Sequence, residues 1–173
     1  MDNEIKVDTV LKSEDVQEFH LWSSFNSRII MSACYVIVYL VIMLVISKDY
    51  STNRLSILAV TAAVLAAALW YITKSNLIKK SKKAFAADPS AQQPQTYTIS
   101  EEGIKYISES GAGEAKWNDI HKIGETMNLY VVFISSRSAL TIPKRYFQSE
   151  QDAVVFKDLA RKHMFSHRVK FKS

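Results

Sequence analysis

Two stretches stand apart from the polar–apolar pattern of the rest of the chain. Ile29–Ile46 (IIMSACYVIVYLVIMLVI) runs for 18 residues without a charge, and Leu55–Thr73 (LSILAVTAAVLAAALWYIT) for 19 more. At about 1.5 Å per residue, a helix of either length spans roughly 27–29 Å, close to the hydrocarbon core of a bilayer. Only the eight residues Ser47–Arg54 join them. The pattern predicts a transmembrane hairpin, with spans at 29–46 and 55–73 and a polar tail on either side.

The tails carry shorter periods. Residues 3–12 alternate, with Ile5, Val7, Thr9 and Leu11 on one side and Glu4, Lys6, Asp8 and Lys12 on the other. This is a half-buried strand, and a lone strand needs a sheet from elsewhere in the chain. Ser13-Glu14-Asp15 then reads as a helix start, and Val16, Phe19, Trp22, Phe25 and Ile29 recur at helical steps. Trp22 and Arg28 are placed to anchor such a helix at a membrane interface. The segment Ala84–Gln95, with Pro89 and Pro94 and no apolar period, is a linker.

From Thr96 the period becomes two. Tyr97/Ile99, Ile104/Tyr106, Ala115/Trp117, Ile120 with Ile123, and Leu140/Ile142 mark short strands, with turns at Glu101-Glu102-Gly103, Gly111-Ala112-Gly113 and Ser135–Ser138. Leu129–Ile134 is apolar on both faces and should be a central strand, and Trp117 should be buried. Ser149 followed by Asp152 resembles a capping box, opening a helix whose apolar side is Val155, Phe156, Leu159, Ala160 and His163. Strands followed by one terminal helix predict a small barrel or curled sheet capped by that helix. The fold class is thus an α+β membrane protein. Its segments are 1–28 (strand and amphipathic helix), 29–73 (hairpin), 74–95 (basic juxtamembrane stretch and linker) and 96–173 (sheet domain).

The charge is uneven, and this orients the hairpin. The net charge is +5, and Lys74, Lys79, Lys80, Lys82 and Lys83 crowd the exit of the second span, against Lys48 and Arg54 in the connecting loop. The positive-inside rule puts both termini in the cytoplasm, with the five lysines near anionic lipid headgroups. The first 28 residues hold six acids and three bases, and no A-x-A-like site follows the first apolar run, which argues against a cleaved signal peptide. No Asp, Glu, Lys, Arg or His lies inside either span, which disfavours a pump or coupled transporter. Ala59, Ala63 and Ala66 give the second span a small-residue face suited to packing on the first span or on a second copy of the chain.

Four pieces of the C-terminal segment resemble one family: Thr96–Ile104 (TYTISEEGI), Trp117–Thr126 (WNDIHKIGET), Tyr130–Ser135 (YVVFIS) and Ile142–Phe147 (IPKRYF). Their order is similar to that of the YcxB-like family of bacterial membrane proteins. The resemblance implies two spans ahead of a C-terminal domain similar to the pleckstrin-homology fold, in the bacterial inner membrane. It brings no catalytic residues with it.

The chemistry read from the residues is sparse. The single cysteine, Cys34, lies within the first span, as a small packing group. His163 and His167 are four apart but lack a third ligand, and Asp119 beside His121 has no nucleophile motif, so neither a metal site nor a catalytic one is expected. No phosphate-cradling glycine loop is present, and no cofactor is expected. Lys144, Arg145 and Tyr146, after Pro143, are the polar cluster best suited to a phosphate or an acidic partner. No nucleic-acid-reading motif is visible. The expectation is a non-catalytic membrane protein whose cytoplasmic domain binds a protein or lipid partner. The alternative is an immunity or self-resistance protein that neutralises a toxin or antimicrobial in the membrane.

Overall fold

The computed structural model describes residues 4–47, 51–136 and 138–171. Lys48 and Lys172, which entered the charge count above, lie outside them. The chain divides into two compact units, one running up to Phe19 and resuming at Lys82, the other being His20–Ser81.

The first unit holds two four-stranded sheets. Strand β1 (Ile5–Thr9) pairs antiparallel with β2 (Gln95–Ile99), in the register Ile5↔Ile99 and Val7↔Tyr97. Strands β3 (Gly103–Ser108) and β4 (Gly111–Lys116) complete the order β1-β2-β3-β4. The alternation of residues 5–9 is obeyed: Ile5, Val7 and Thr9 are buried, while Lys6 and Asp8 are exposed. The N-terminal strand therefore finds its sheet about ninety residues downstream. At Gly103 a Cβ would collide with the Ala115 carbonyl oxygen, so the turn after Glu102 needs glycine there.

The second sheet has the order β7-β6-β5-β8, from β5 (Lys122–Glu125), β6 (Leu129–Phe133), β7 (Ala139–Pro143) and β8 (Val169–Lys170). All of β6 is buried, as its two-faced apolar run requires. The short β8 joins parallel to β5, which the basic tail gave no sign of.

These sheets do not form the closed barrel that was one expectation. Strands β4 and β5 are consecutive but unpaired. Between them the chain turns at Lys116, whose carbonyl accepts from the amides of Asp119 and Ile120, and the turn buries Trp117 and Ile120 instead of continuing the ladder. One core serves both sheets and helix α4 (Glu150–His163): Ile99, Ile104, Ile123, Val132, Ile142, Phe156 and Leu159 belong to a single cluster. Ser149 Oγ accepts from the Asp152 amide at 3.1 Å, so the helix starts where the capping pattern places it. Trp117 is 3% exposed, and its indole N–H donates to the Ser100 carbonyl at 3.0 Å.

The second unit is built from α2 (Phe25–Ser47) and most of α3 (Thr52–Ala87), preceded by the end of α1 (Ser13–Ser23). Both α2 and α3 are long and apolar enough to cross a membrane. They meet through Tyr39 Oη and Thr61 Oγ1 at 2.7 Å and through an edge-on contact of Phe25 with Trp70. The row of α3 that is sheltered is Leu58, Thr61, Ala62, Ala66 and Leu69. Ala66 belongs to it, but Ala59 and Ala63 face outward, and Ala62 is the alanine buried in the hairpin. The face of α3 that packs on α2 is thus turned by one position from Ala59 and Ala63, so that Thr61 meets Tyr39, and these two alanines stay open on the side where a second copy would pack.

Candidate functional site

The sequence places Lys144, Arg145 and Tyr146 on a loop after β7. Structurally they form a short 3-10 turn, and each of them holds something inside the protein. Arg145 grips Asp15 with both Nη atoms, at 2.7 and 2.6 Å. Tyr146 donates to the Val10 carbonyl at 2.9 Å. Asp15 is 3% exposed and also accepts from the Lys12 amide at 2.7 Å, closing the first turn of α1. The hydrogen bonds to the Asp15 carboxylate push the already high Arg145 pKa further up, so the guanidinium keeps its charge. Two of the three predicted binding residues therefore fasten the segment after β1 to the second sheet. A second hook lies nearby, where Glu18 accepts from the backbone and side-chain N–H groups of Asn128, both at 2.9 Å.

Lys144 has a different setting. It lies between Glu125 and the Thr126 carbonyl, and Lys157 of α4 reaches the same Glu125 at 3.1 Å. Glu125 is buried, with its side chain 5% exposed. Two lysines on one carboxylate leave a net positive charge. Both ammonium groups also lie over the ring of Tyr130, at 5.2 and 5.6 Å. Burial pushes the Tyr130 phenol above its ordinary pKa, so it stays a neutral hydroxyl. Beside this group opens a cleft of about 500 Å³, whose lining includes Tyr130, Lys144, Phe147, Ser149 and Lys157. Two of its lining rings, Tyr130 and Phe147, belong to an aromatic cluster with Phe156 and Phe171, in which contacting rings have centroids 5.0–6.1 Å apart. The arrangement offers cations and an apolar base, which suits an acidic group attached to an apolar body.

Glu125, Lys157 and Tyr130 were not singled out from the sequence. The available signal was one acid at the end of a strand in which Ile123 and Gly124 are also buried, since a buried acid needs cations from somewhere.

The other expected residues are placed as follows. Lys74, Lys79, Lys80, Lys82 and Lys83 are all exposed along α3. Asp119 and His121 are exposed. His163 stacks on Trp117 and meets Glu101, which also pairs with Lys162 at 2.8 Å, while His167 stacks on Phe165. Among the described residues, no group of three or more His, Cys, Asp or Glu is placed to hold a metal. Arg28 is buried in the hairpin unit at the start of the first uncharged run, with its guanidinium 4.8 Å from the Trp70 ring centroid.

The chain is therefore a mixed helix-and-sheet protein, with two four-stranded sheets on one core and two helices long and apolar enough to span a membrane. Residues 99–160 match the family model of YcxB-like proteins. The chain is also similar to a Bacillus subtilis (strain 168) protein named "Uncharacterized protein YcxB", with 28% identity over 116 residues, or 67% of this chain and 59% of the relative. The chain thus spans less than two thirds of that protein. No solved structure matches it.

Proposed function

We propose that the chain is a non-catalytic, membrane-anchored binding protein. In this reading the hairpin spans the bacterial inner membrane, with both termini cytoplasmic. The two-sheet domain is a pleckstrin-homology-like module that takes an acidic segment of a protein partner in the cleft beside α4. One observation carries the reading: the apolar side chains of α2 and α3 face outward. Ile30, Val45, Val60 and Tyr71 are 63–73% exposed. A patch of that extent calls for lipid or a partner to cover it.

Two measurements test the proposal. In a Cys34→Ala background, an impermeant thiol reagent should label Ser51→Cys from outside intact cells and leave Glu109→Cys unlabelled; the reverse pattern overturns the topology. In nanodiscs, the full chain should bind a fluorescent oligoglutamate peptide, weakening as salt rises, because exposed charge attraction is screened over about 8–10 Å near physiological ionic strength. Lys157→Gln should weaken the binding and Lys116→Gln should not. Equal affinities in the two variants would remove the cleft from the proposal.

A further inference from the structure

A second cavity, of about 270 Å³, lies wholly within the hairpin unit and is lined by Ser24, Arg28, Thr73, Asn76, Leu77 and Lys80. The last four recur at i, i+3, i+4 and i+7, so they share one face of α3. None of the six is acidic.

The hydrogen bonding around this cavity is incomplete. Arg28 is 9% exposed, and its Nη2 donates to the Leu21 carbonyl at 2.8 Å. Its Nε and Nη1 are buried and have no partner. A buried donor of a charged group left unmade is expensive, so this arrangement calls for an acceptor. Among the described residues no acceptor lies within hydrogen-bond distance of these two nitrogens. Ser24 Oγ donates to the His20 carbonyl and Thr73 Oγ1 to the Leu69 carbonyl at 2.7 Å, and neither oxygen is within hydrogen-bond distance of Arg28 Nε or Nη1. The remaining lining groups are Lys80, a donor, Asn76, whose amide can both donate and accept, and the apolar Leu77. Lys80 makes no ion pair among the described residues.

The position of the cavity fits the same chemistry. The uncharged runs begin at Ile29 and end at Thr73, so the cavity sits at the mouth of the hairpin, where both apolar segments stop. In an inserted hairpin this is the level of lipid phosphates. The ring of Trp70 beneath the guanidinium is also suited to that interface.

We propose that this cavity binds a phosphate group, with Arg28 giving the directed hydrogen bonds and Lys80 and Asn76 closing over the outer oxygens. The phosphate has two possible sources, an anionic lipid headgroup or free phosphate, and only the lipid source rests on the hairpin being inserted. The proposal differs from diffuse attraction to the lysine cluster, because it requires Arg28 and is indifferent to Lys74, Lys82 and Lys83.

The test is the thermal midpoint of the full-length protein in neutral detergent, titrated with dioctanoyl phosphatidic acid, dioctanoyl glycerol or inorganic phosphate. A ligand that binds only the folded state raises the midpoint in a saturable way. Phosphatidic acid should do so and the uncharged glycerol lipid should not. Lys80→Gln, an exposed position, should weaken the effect about fivefold, the worth of one base near a charged surface. Arg28→Lys keeps the charge but loses the fork, and should weaken it about tenfold. Lys74→Gln should change nothing. A response to phosphate equal to that of the lipid assigns the site to the free anion, and a response to the lipid alone assigns it to a headgroup. No saturable shift with either ligand, or equal loss in Lys74→Gln and Lys80→Gln, overturns the proposal. Failure of membrane insertion would show separately in the labelling experiment above, and would leave the inorganic phosphate arm intact.

Discussion

The hairpin and the sheet domain draw on the same apolar residue types and place them on opposite sides. In the sheet domain Ile99, Ile104, Val131 and Phe156 are fully buried, whereas in the hairpin Ile30, Val45, Val60 and Tyr71 look outward. The difference comes from periodicity. A strand that alternates has a dry face and a wet face, and two such sheets plus one helix can close their dry faces on each other. A helix that is apolar all round has no wet face, and pairing it with one neighbour hides only a stripe. What remains is left exposed within the hairpin unit. The sheet domain closes its apolar faces on a core of its own, whereas the hairpin leaves most of its large apolar side chains exposed.

The sharpest way to break this comparison is to delete one aromatic on each side of it. Trp117→Ala should cost about 3–5 kcal/mol, the usual range for emptying a large aromatic site, and it also orphans the Ser100 carbonyl. Tyr71, 73% exposed, should be replaceable by Ala within about 0.5 kcal/mol for the sheet domain. Urea melts of the full chain in detergent, read by near-ultraviolet circular dichroism, measure both. A fully stable Trp117→Ala protein would mean that the sheet domain does not depend on its core as described. An unfolded Tyr71→Ala protein would mean that the outer surface of the hairpin is packed.

A smaller effect is expected where polar groups join the chain across long sequence distances. Arg145→Met leaves Asp15 buried without its cation. The loss should be about 1.5–3 kcal/mol, the range for hydrogen bonds to charged groups, and Arg145→Lys should recover part of it. For contrast, Lys162→Ala removes a pair in which both side chains are more than half exposed, and should leave stability nearly unchanged. The same melts separate the two. Equal effects would mean that the burial of Asp15 plays no part.

These polar joints mark the limit of what was legible in the sequence. The two apolar runs, the central strand β6, the burial of Trp117 and the Ser149 cap could all be read, because each is written in local spacing. The need of residues 4–11 for a sheet was legible too, since a half-buried strand is incomplete alone. That Arg145 meets Asp15 was not, because 130 positions separate them and each residue taken singly reads as surface charge. For the same reason the cluster of Lys144, Arg145 and Tyr146 read as a free loop, when two of the three hold the N-terminal segment. The parallel β8 was hidden in a basic tail two residues deep in the sheet. The closed barrel failed at one turn, where burying Trp117 and Ile120 prevails over continuing the ladder from β4 to β5.

The weakest effect separates the two regions by pH. Neither uncharged run contains an ionisable Asp, Glu, His, Lys or Arg, so the helix signal of the hairpin should not respond to mild acid. The sheet domain should. Hydrogen bonds from Lys162 and then His163 hold the Glu101 carboxyl below its ordinary value of 4.5. For Glu18, burial raises the pKa, but the hydrogen bonds from Thr126 and Asn128 outweigh it, and the net shift is again downward. The sign follows directly. A carboxyl with a lowered pKa in the folded protein is protonated first in the unfolded chain, so its stabilisation is fully present above about 4.5 and is lost as pH falls through the folded value. Thermal melts between pH 3 and 7 should show the near-ultraviolet transition falling in temperature below about pH 4.5, while helix content at low temperature stays level. Glu101→Gln with Glu18→Gln should flatten that slope, since an amide has no proton to take up. If the double variant keeps the wild-type slope, these two carboxylates are not what ties the sheet domain to pH. If the helix content falls in parallel with the near-ultraviolet signal, the two regions do not respond separately, and the contrast drawn between them fails.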